Sequence, residues 1–285
     1  MPLFAKICRC VKERRLPWCV MVHVRYIANK IVVGFYVLEV RFSTIWHNWR
    51  ASPNPSSGTR KFLYVSAVGK EGEKILVKAI NRFGHEDFDY LIFVYDGTPL
   101  CDEVFSKCRI VYEPGIKWQF LKKYLTPATC RDYEYIFIWD DDVDVEEFSY
   151  KNFVATMRRN NLDLAQPALL PGSFYSHELT VRNKQVKVGR YVDFVEVMAM
   201  VFRQEAWPKF HAMLAASDNP WGWGYDVLAK SVCRYANMGI VDAECVTHTR
   251  PVRSQYTSAP EDMRRLFRQF DGYRLAKKIS YLHLK

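Results

Sequence analysis

Short apolar runs alternate with segments of helical spacing through residues 61–139. The apolar runs predict four strands, over 61–69, 89–97, 109–114 and 133–139. The intervening helical spacing predicts helices over 73–83 and 117–125. Strands that are apolar almost throughout are typical of parallel sheets covered on both faces by crossover helices. This half of the chain therefore predicts an open, mostly parallel α/β sheet flanked by helices.

The second half of the chain has a mixed pattern. Helical spacing predicts helices over 148–161, 207–217, 225–239 and 261–278. Further strands are predicted over 163–169, 191–203 and 240–249, with a hairpin over 178–190. The expected fold is therefore an α/β sheet with a mixed second half and a basic C-terminal helix.

The fourth predicted strand runs into a cluster of acids in "YIFIWDDDVDV" (135–145). Ligands of open α/β sheets bind beyond the carboxyl ends of strands, where this cluster begins. Neighbouring carboxylates repel one another, so a cation is expected there, and carboxylate oxygens suit Mg²⁺ or Mn²⁺. A solvated, helix-capping turn is the alternative, and we expect Asp144 to cap the next helix.

Other acidic motifs fit this stretch less well. An EF-hand loop starting at Asp140 needs glycine and glutamate where Val145 and Lys151 stand, which excludes it. The D-D-x-x-D pattern of prenyl-diphosphate enzymes belongs on a helix, whereas a strand is predicted here. A phosphatase with an aspartyl nucleophile after a strand stays open as an alternative.

The formal net charge of +10 is carried by the two ends of the chain. Residues 1–60 hold ten Lys/Arg against two Asp/Glu, and residues 250–285 hold nine against three. No nucleic-acid-binding motif accompanies these charges, so nucleic acid is not an expected partner. With the linker-like "ASPNPSSGTR" (51–60), this distribution predicts a basic leader over 1–60, a central domain over 61–249 and a basic helical tail over 250–285.

The apolar segment 18–40 is long enough for a membrane helix but is interrupted by polar and charged residues. It predicts either a degenerate membrane anchor or a soluble leader, which implies the Golgi or another secretory compartment in the first case and the cytoplasm in the second. Its basic flank allows membrane association. The eight cysteines have no zinc-binding spacing, although one or two disulfides remain open.

A strand ending in D-x-D, about eighty residues into such a sheet, resembles the GT-A glycosyltransferases that use nucleotide sugars. More closely, the chain resembles a plant and algal family labelled lysine-ketoglutarate-reductase trans-splicing related proteins. The matching segments are "YDG" (95–97), "KWQFLKKYLTP" (117–127), "YEYIFIWDDDV" (133–143), "QPAL" (166–169), "HELTVR" (177–182), "FVEVMAMVF" (194–202), "WGWGYD" (221–226) and "GIVDAECVTH" (239–248).

The GT-A resemblance implies a nucleotide-diphosphate sugar as donor and Mn²⁺ or Mg²⁺ as cofactor. It implies that Asp140 faces the nucleotide or the metal, that Asp142 binds the metal, and that His248 completes the metal shell. The acidic motif of the closer family is W-D-E-D, with glutamate in place of Asp141, which implies that Asp141 is the most replaceable of the three acids.

An inverting transfer needs a base for the acceptor hydroxyl. Asp226, in an element resembling the W-G-x-(E/D) of inverting transferases, is the first candidate, with helix capping as its alternative role. Glu196, an acid within an apolar run, is the second candidate.

The remaining candidates are binding residues. Trp221 and Trp223 are candidates for stacking on the acceptor sugar, or are core residues. Lys117 and Arg182 are candidates for binding the donor diphosphate, or are surface charges.

The preferred hypothesis is a metal-dependent, inverting glycosyltransferase acting on a glycan or protein acceptor. A non-catalytic carbohydrate- or protein-binding module on the same scaffold is the alternative from another class, and the phosphatase is the third. The sequence carries no signal for the donor sugar or the oligomeric state.

Overall fold

The computed structural model of the protein describes residues 62–251 and 258–270, together with the backbone of 282–283. The predicted leader, including the possible anchor at 18–40, lies outside these residues. In the described part, no helix has the length and apolar character needed to cross a membrane. All five cysteines in that part are free thiols.

The elements alternate as the hydrophobic pattern predicts. The strands are β1 (Phe62–Val68), β2 (Phe88–Val94), β3 (Arg109–Tyr112), β4 (Tyr135–Asp140), β5 (Val143–Asp144), β6 (Leu164–Leu169), β7 (Arg190–Tyr191), β8 (Ala199–Arg203), β9 (Met238–His248) and β10 (Leu282–His283). The α-helices are α1 (Glu73–Phe83), α2 (Lys117–Tyr124), α3 (Tyr150–Arg159), α4 (Trp207–Ala215), α5 (Tyr225–Val232) and α6 (Ala259–Gln269). Short 3₁₀ turns lie at Glu103–Lys107, Glu178–Thr180 and Gln204–Ala206.

One sheet organises these strands in the order β10-β7-β9-β6-β8-β4-β1-β2-β3, with β5 paired to β9. β4, β1, β2 and β3 are parallel neighbours. β8 runs antiparallel to both β4 and β6, and β9 is parallel to β6. Strands β1–β4, β6 and β9 therefore all point the same way, and their carboxyl ends share one edge of the sheet. This arrangement confirms the predicted fold class.

Both faces of the sheet are covered, which explains why its strands are apolar without alternation. One face packs Tyr64 and Trp139 against α1 and α3. The other packs Val65 and Ile138 against α2, α4 and α5. Because successive strand residues point to opposite faces, each central strand contributes to both cores.

The segment between β6 and β8 differs from the prediction. Instead of a hairpin over 178–190 and a long strand over 191–203, it forms irregular backbone with only β7 and β8 as strands. A buried ion pair helps to hold this path. Arg190 bonds Asp242 through Nε and Nη2, and its other donors reach the carbonyls of Leu179 and Val181. Those carbonyls are therefore not free for a ladder of hairpin hydrogen bonds.

The expected cap of α3 is also different. Ser149, not Asp144, is the N-cap, and its side chain accepts from the backbone N–H of Asn152. Asp144 lies in β5, five residues too early, where its carboxylate pairs with Lys78. The prediction that Asp144 caps this helix is therefore wrong.

We predict that Asp242→Ala lowers the free energy of unfolding by about 3–5 kcal/mol, because it leaves the Arg190 charge buried without a partner. Urea denaturation measures the loss. Glu113→Ala, which breaks the exposed pair with Lys123, is the control and should change stability little. Equal, small effects of both substitutions would contradict this role of the buried pair.

Candidate functional site

A cleft of about 270 Å³ opens at the edge of the sheet where the carboxyl ends of the parallel strands meet. β8 and β6 lie between β4 and β9 in the sheet, and it is β5, directly after Asp142, that pairs with the end of β9 and sets Val143 opposite His248. The cleft is lined by side chains from both halves of the sheet: Ala67, Tyr95, Gly115, Ile116, Lys117, Trp118, Asp140, Asp141, Asp142, Ser176, Glu196, Val197, Met198, Pro220, Trp221, Trp223, His248, Arg250 and Pro251. Seven of the nine predicted site residues are among them.

Asp140 is held at the end of β4 by two contacts. Its backbone N–H donates to the carbonyl of Met198, at 2.8 Å, and its carboxylate pairs with the ammonium group of Lys117. Lys117 also donates to the carbonyl of Val197, at 2.9 Å. Burial raises the pKa of Asp140, while the charge of Lys117 opposes that rise. Lys117 thus lies at the cleft as predicted, with its charge directed at an aspartate.

Asp141 makes several contacts, although it was expected to be the most replaceable of the three acids. Its Oδ2 accepts from the backbone N–H of Gly69, at 3.1 Å, and its Oδ1 pairs with Arg250. Gly72 is required beside it, because a Cβ there would lie 2.2 Å from Oδ2. Burial raises the pKa of Asp141 to about 6, although the Arg250 charge opposes the rise. The contacts show an anchor for the β1–α1 loop, which a neutral residue would not replace.

Asp142 and His248 face each other. Nε2 of His248 lies 3.2 Å from Oδ1 of Asp142, within ion-pair range but without hydrogen-bond geometry. Nδ1 of His248 lies 2.8 Å from the carbonyl oxygen of Phe174 and must donate to it, because a carbonyl only accepts. Nε2 is therefore the nitrogen that faces the carboxylate, and it needs either a second proton or a shared cation.

Electrostatics favour the protonated form of His248 when no cation is shared. Burial alone would lower the pKa of His248, but the contact with Asp142 outweighs it, and the pKa rises to about 9. Burial likewise opposes the charge on Asp142, yet His248 and Arg250 hold the pKa of its carboxyl below the ordinary value.

The same pair has the donor set of a divalent cation site. Two neighbouring ligands of an octahedral ion, each about 2.1 Å from the metal, are about 3 Å apart. The separation of 3.2 Å between Asp142 and His248 is close to that spacing. Nowhere in the described residues, however, are three or more His, Cys, Asp or Glu side chains grouped to hold a metal. Asp140, the third predicted ligand, is paired with Lys117 instead.

Glu196, unlike Asp226, lines the cleft, and it is only 3% exposed. Its Oε1 accepts from the backbone N–H of Ser176, at 3.2 Å. Its Oε2 is buried and has no hydrogen-bond partner among the described residues. A buried carboxylate oxygen without a donor is costly unless a ligand satisfies it.

Asp226, the first candidate base, does not line the cleft. Its Oδ1 accepts from the backbone N–H groups of Gly224 and Val227, at 3.2 and 2.8 Å. These bonds at the start of α5 support the capping role that was its alternative. Burial raises its pKa to about 7 against these bonds, and the charge of Glu196 adds to the rise.

The two tryptophans line the cleft on a turn shaped by Gly222. This glycine has φ of 86°, and a Cβ there would lie 2.0 Å from Nε1 of Trp118. Nε1 of Trp221 donates to Ser258 at 2.8 Å and to Asp262 at 3.0 Å, so α6 holds its ring in place. Both tryptophans therefore lie at the cleft, and their stacking on an acceptor sugar stays a prediction.

The predicted diphosphate ligand Arg182 is exposed and lies outside the cleft. The backbone N–H of Arg182 bonds the carbonyl of Leu169, and its charge lies near Asp242. Arg250, which sequence reasoning did not select, lines the cleft and contacts Asp141 and Asp142. Its position two residues after His248 was the available signal, but it was counted with the basic tail.

We predict that Asp226→Asn stabilises the protein increasingly as pH rises. The folded-state pKa of about 7 exceeds the ordinary 3.8, so the native state binds the extra proton and wild-type stability falls between these values. The free energy of unfolding of the variant, relative to that of the wild type, should rise by on the order of 2–3 kcal/mol from pH 5 to pH 8. The slope is about 1.4 kcal/mol per pH unit below the folded-state pKa. Denaturant midpoints of both proteins measure it, and a difference that stays constant with pH would contradict the buried, protonated Asp226.

Solved structures resemble the fold at low sequence identity. GalNAc-T7, solved with UDP, GalNAc and Mn²⁺, has a TM-score of 0.52 and 8% identity over 74% of this chain and 48% of its own. The S. aureus TarS fragment 1–349 has a TM-score of 0.48 and 10% identity over 72% of this chain and 63% of its own. The same fragment with UDP-GlcNAc has a TM-score of 0.47. This chain thus spans less than two thirds of their length, and the likeness to GalNAc-T7 shows a similar fold.

No curated protein matches the sequence. These comparisons do not support the resemblance to the lysine-ketoglutarate-reductase trans-splicing related proteins. A family model described as "Protein of unknown function (DUF707)" matches residues 23–193 and 190–269, and so begins within the segment predicted as a leader. The matched residues make up most of the chain, which therefore belongs to the DUF707 family.

Proposed function

We propose that the protein is a metal-dependent, inverting glycosyltransferase that transfers a sugar from a nucleotide-diphosphate sugar to a glycan or protein acceptor. One observation carries the proposal: Asp142, His248 and Glu196, from different elements, line one cleft, and Asp142 and Glu196 each have a buried oxygen without a hydrogen-bond partner in the described chain. The GT-A likeness supports a scaffold of this kind and does not by itself fix the reaction.

The sheet order supports a division of the cleft into a donor half and an acceptor half. β4, with the acids at its end, has β1, β2 and β3 on one side and β8, β6 and β9 on the other. Tyr95 and Ile116 belong to the first side, which we assign to the nucleotide. Glu196, Trp221 and Trp223 belong to the second side, which we assign to the acceptor.

In this proposal Asp142 and His248 hold the metal, and Lys117 and Arg250 lie where a diphosphate would bind. A divalent cation at this pair would neutralise charge on the leaving diphosphate. Arg250 already contacts Asp142, at 3.3 Å, so it lies within reach of any anion bound at that carboxylate. Guanidinium and ammonium groups are natural partners of phosphate oxygens.

Glu196 is assigned as the base, in preference to Asp226. The acceptor oxygen forms a bond to the anomeric carbon while the bond from that carbon to the diphosphate oxygen breaks. The nucleoside diphosphate leaves with the electron pair, and the acceptor proton passes to Glu196. The unpartnered Oε2 of Glu196 at the cleft supports this assignment, while Asp226 remains behind it as a buried neighbour.

A non-catalytic carbohydrate-binding module is the second candidate. It is favoured by the pairing of the acids with Lys117, Arg250 and His248, since basic side chains already compensate the charge that a metal would neutralise. The two candidates differ in whether the metal and a nucleotide bind together.

We predict that Mn²⁺ together with UDP raises the melting temperature of the wild-type protein. At a concentration about 100-fold above Kd the stabilisation is about 2.7 kcal/mol, which corresponds to roughly 5–10 °C for a domain of this size. Differential scanning fluorimetry with UDP, GDP and ADP, each with Mn²⁺ or EDTA, measures the shift.

Asp142→Asn should remove this shift, because it takes away the charged oxygen at the His248 pair. Asp144→Asn is the matched control: it changes an acid of the same segment that pairs with Lys78 and lies outside the cleft, so its shift should remain. An undiminished shift in Asp142→Asn, or no shift with any nucleotide in the wild type, would refute the metal–nucleotide site.

We predict that Glu196→Gln lowers kcat by about 10²–10⁴-fold, the range for loss of a general base, without changing the Mn²⁺–UDP shift. Release of nucleoside diphosphate from a panel of nucleotide sugars and simple glycoside acceptors measures turnover. Glu178→Gln, at an exposed acid outside the cleft, is the control. Full activity in Glu196→Gln combined with loss in Asp226→Asn would return the role of base to Asp226.

A further inference from the structure

We propose that Phe174 and Tyr175 form a stacking surface for a pyranose ring of the acceptor glycan, at the mouth of the cleft. This subsite rests on the proposed function, since it extends the acceptor half of the same cleft. Phe174 is 46% exposed and Tyr175 is 51% exposed. Among the described residues, Tyr112 is the one other large hydrophobic residue with comparable exposure.

The backbone around these two aromatic residues is tied to the site on one side by His248. The N–H of Phe174 donates to the carbonyl of His248, at 3.0 Å, and Nδ1 of His248 donates back to the carbonyl of Phe174, at 2.8 Å. Oγ of Ser173 accepts from the N–H of His248, at 3.3 Å. Phe174 is therefore held in register with the side chain proposed to bind the metal.

On the other side the backbone is tied to the proposed base. The N–H of Ser176 donates to Oε1 of Glu196, at 3.2 Å, and Ser176 itself lines the cleft. Tyr175 thus lies between one residue fixed to His248 and another fixed to Glu196. A surface held in this way loses little further conformational freedom when a ligand binds.

The chemistry of this surface fits a sugar. A pyranose has an apolar face of C–H groups and an edge of hydroxyls, and aromatic faces pack on the former. Cleft residues on the same side of β4 supply two more aromatic rings, Trp221 and Trp223, and a carboxylate, Glu196, that accepts from hydroxyls. Exposed aromatic side chains beside a cleft are typical of a binding site.

The test compares the Phe174→Ala/Tyr175→Ala double variant with Tyr112→Ala, which removes the third exposed aromatic residue, outside the cleft. Binding of p-nitrophenyl glycosides and short oligosaccharides is measured by saturation-transfer NMR and calorimetry, with Mn²⁺ and UDP present. We expect the double variant to lose about tenfold or more in affinity for the sugars that the wild type binds, and Tyr112→Ala to lose none. The Mn²⁺–UDP thermal shift should be the same in all three proteins.

A second variant, Phe174→Leu/Tyr175→Leu, keeps apolar bulk but lacks aromatic faces, and should lose affinity in the same way even if the alanine variant fails to fold. Wild-type affinity in the leucine variant overturns the subsite, as does a wild-type protein that shows the nucleotide shift but binds none of the sugars. Sugar binding that depends on the two rings without any nucleotide shift supports the subsite and refutes the transferase. A change of oligomeric mass in the variants with unchanged sugar binding assigns the surface to a second copy of the chain and overturns the proposal.

Discussion

The site depends on basic side chains that compensate the negative charges of three consecutive carboxylates at the end of a buried strand. Asp140, Asp141 and Asp142 would repel one another in isolation, and each is matched by a basic side chain from another element. Lys117 begins α2, His248 ends β9 and Arg250 follows β9, so the acids join parts of the chain that are more than 100 residues apart. The geometry of the cleft follows from these pairings.

Within the part of the chain that the structure describes, two carboxylate oxygens at the cleft lack a hydrogen-bond donor, and this bears on function. Asp142 has an oxygen close to His248 without a proper hydrogen bond, and Glu196 has an oxygen with no donor in the described chain. Both oxygens lie at the cleft, whereas Asp141 is satisfied by Gly69, Tyr95 and Arg250. Asp141 thus holds the fold, and in the proposed function the two oxygens without a hydrogen-bond partner among the residues described are the ones that bind ligands.

Much of the parallel half of the fold could be predicted, because strands buried on both faces leave a continuous apolar signal. The position of Asp140 and Asp142 followed from the same signal, since strand ends locate sites in open sheets. The path of residues 178–198 could not be predicted. The apolar residues there are typical of a strand, whereas contacts distant in sequence hold the backbone, among them the buried pair of Arg190 with Asp242, 52 residues away.

The same limit explains the errors among the site residues. The sequence does not distinguish Arg182 from Arg250 as a ligand, because the fold determines which of them lies beside the acids. Asp226 and Glu196 were both candidate bases, and the choice between them rests on which carboxylate faces the cleft. Phe174 and Tyr175 had no sequence signal, because an exposed aromatic residue cannot be told from a buried one without the fold.

The central claim is that Asp142 and His248 together bind a divalent cation with the donor diphosphate. Crystals grown with Mn²⁺ and UDP, measured with anomalous diffraction at the manganese edge, test it most directly. The account predicts one anomalous peak about 2.1–2.2 Å from both the Asp142 carboxylate and Nε2 of His248, in contact with a phosphate oxygen of the nucleotide. Bound nucleotide with no peak at this pair, and with the His248–Asp142 contact unchanged, would contradict it.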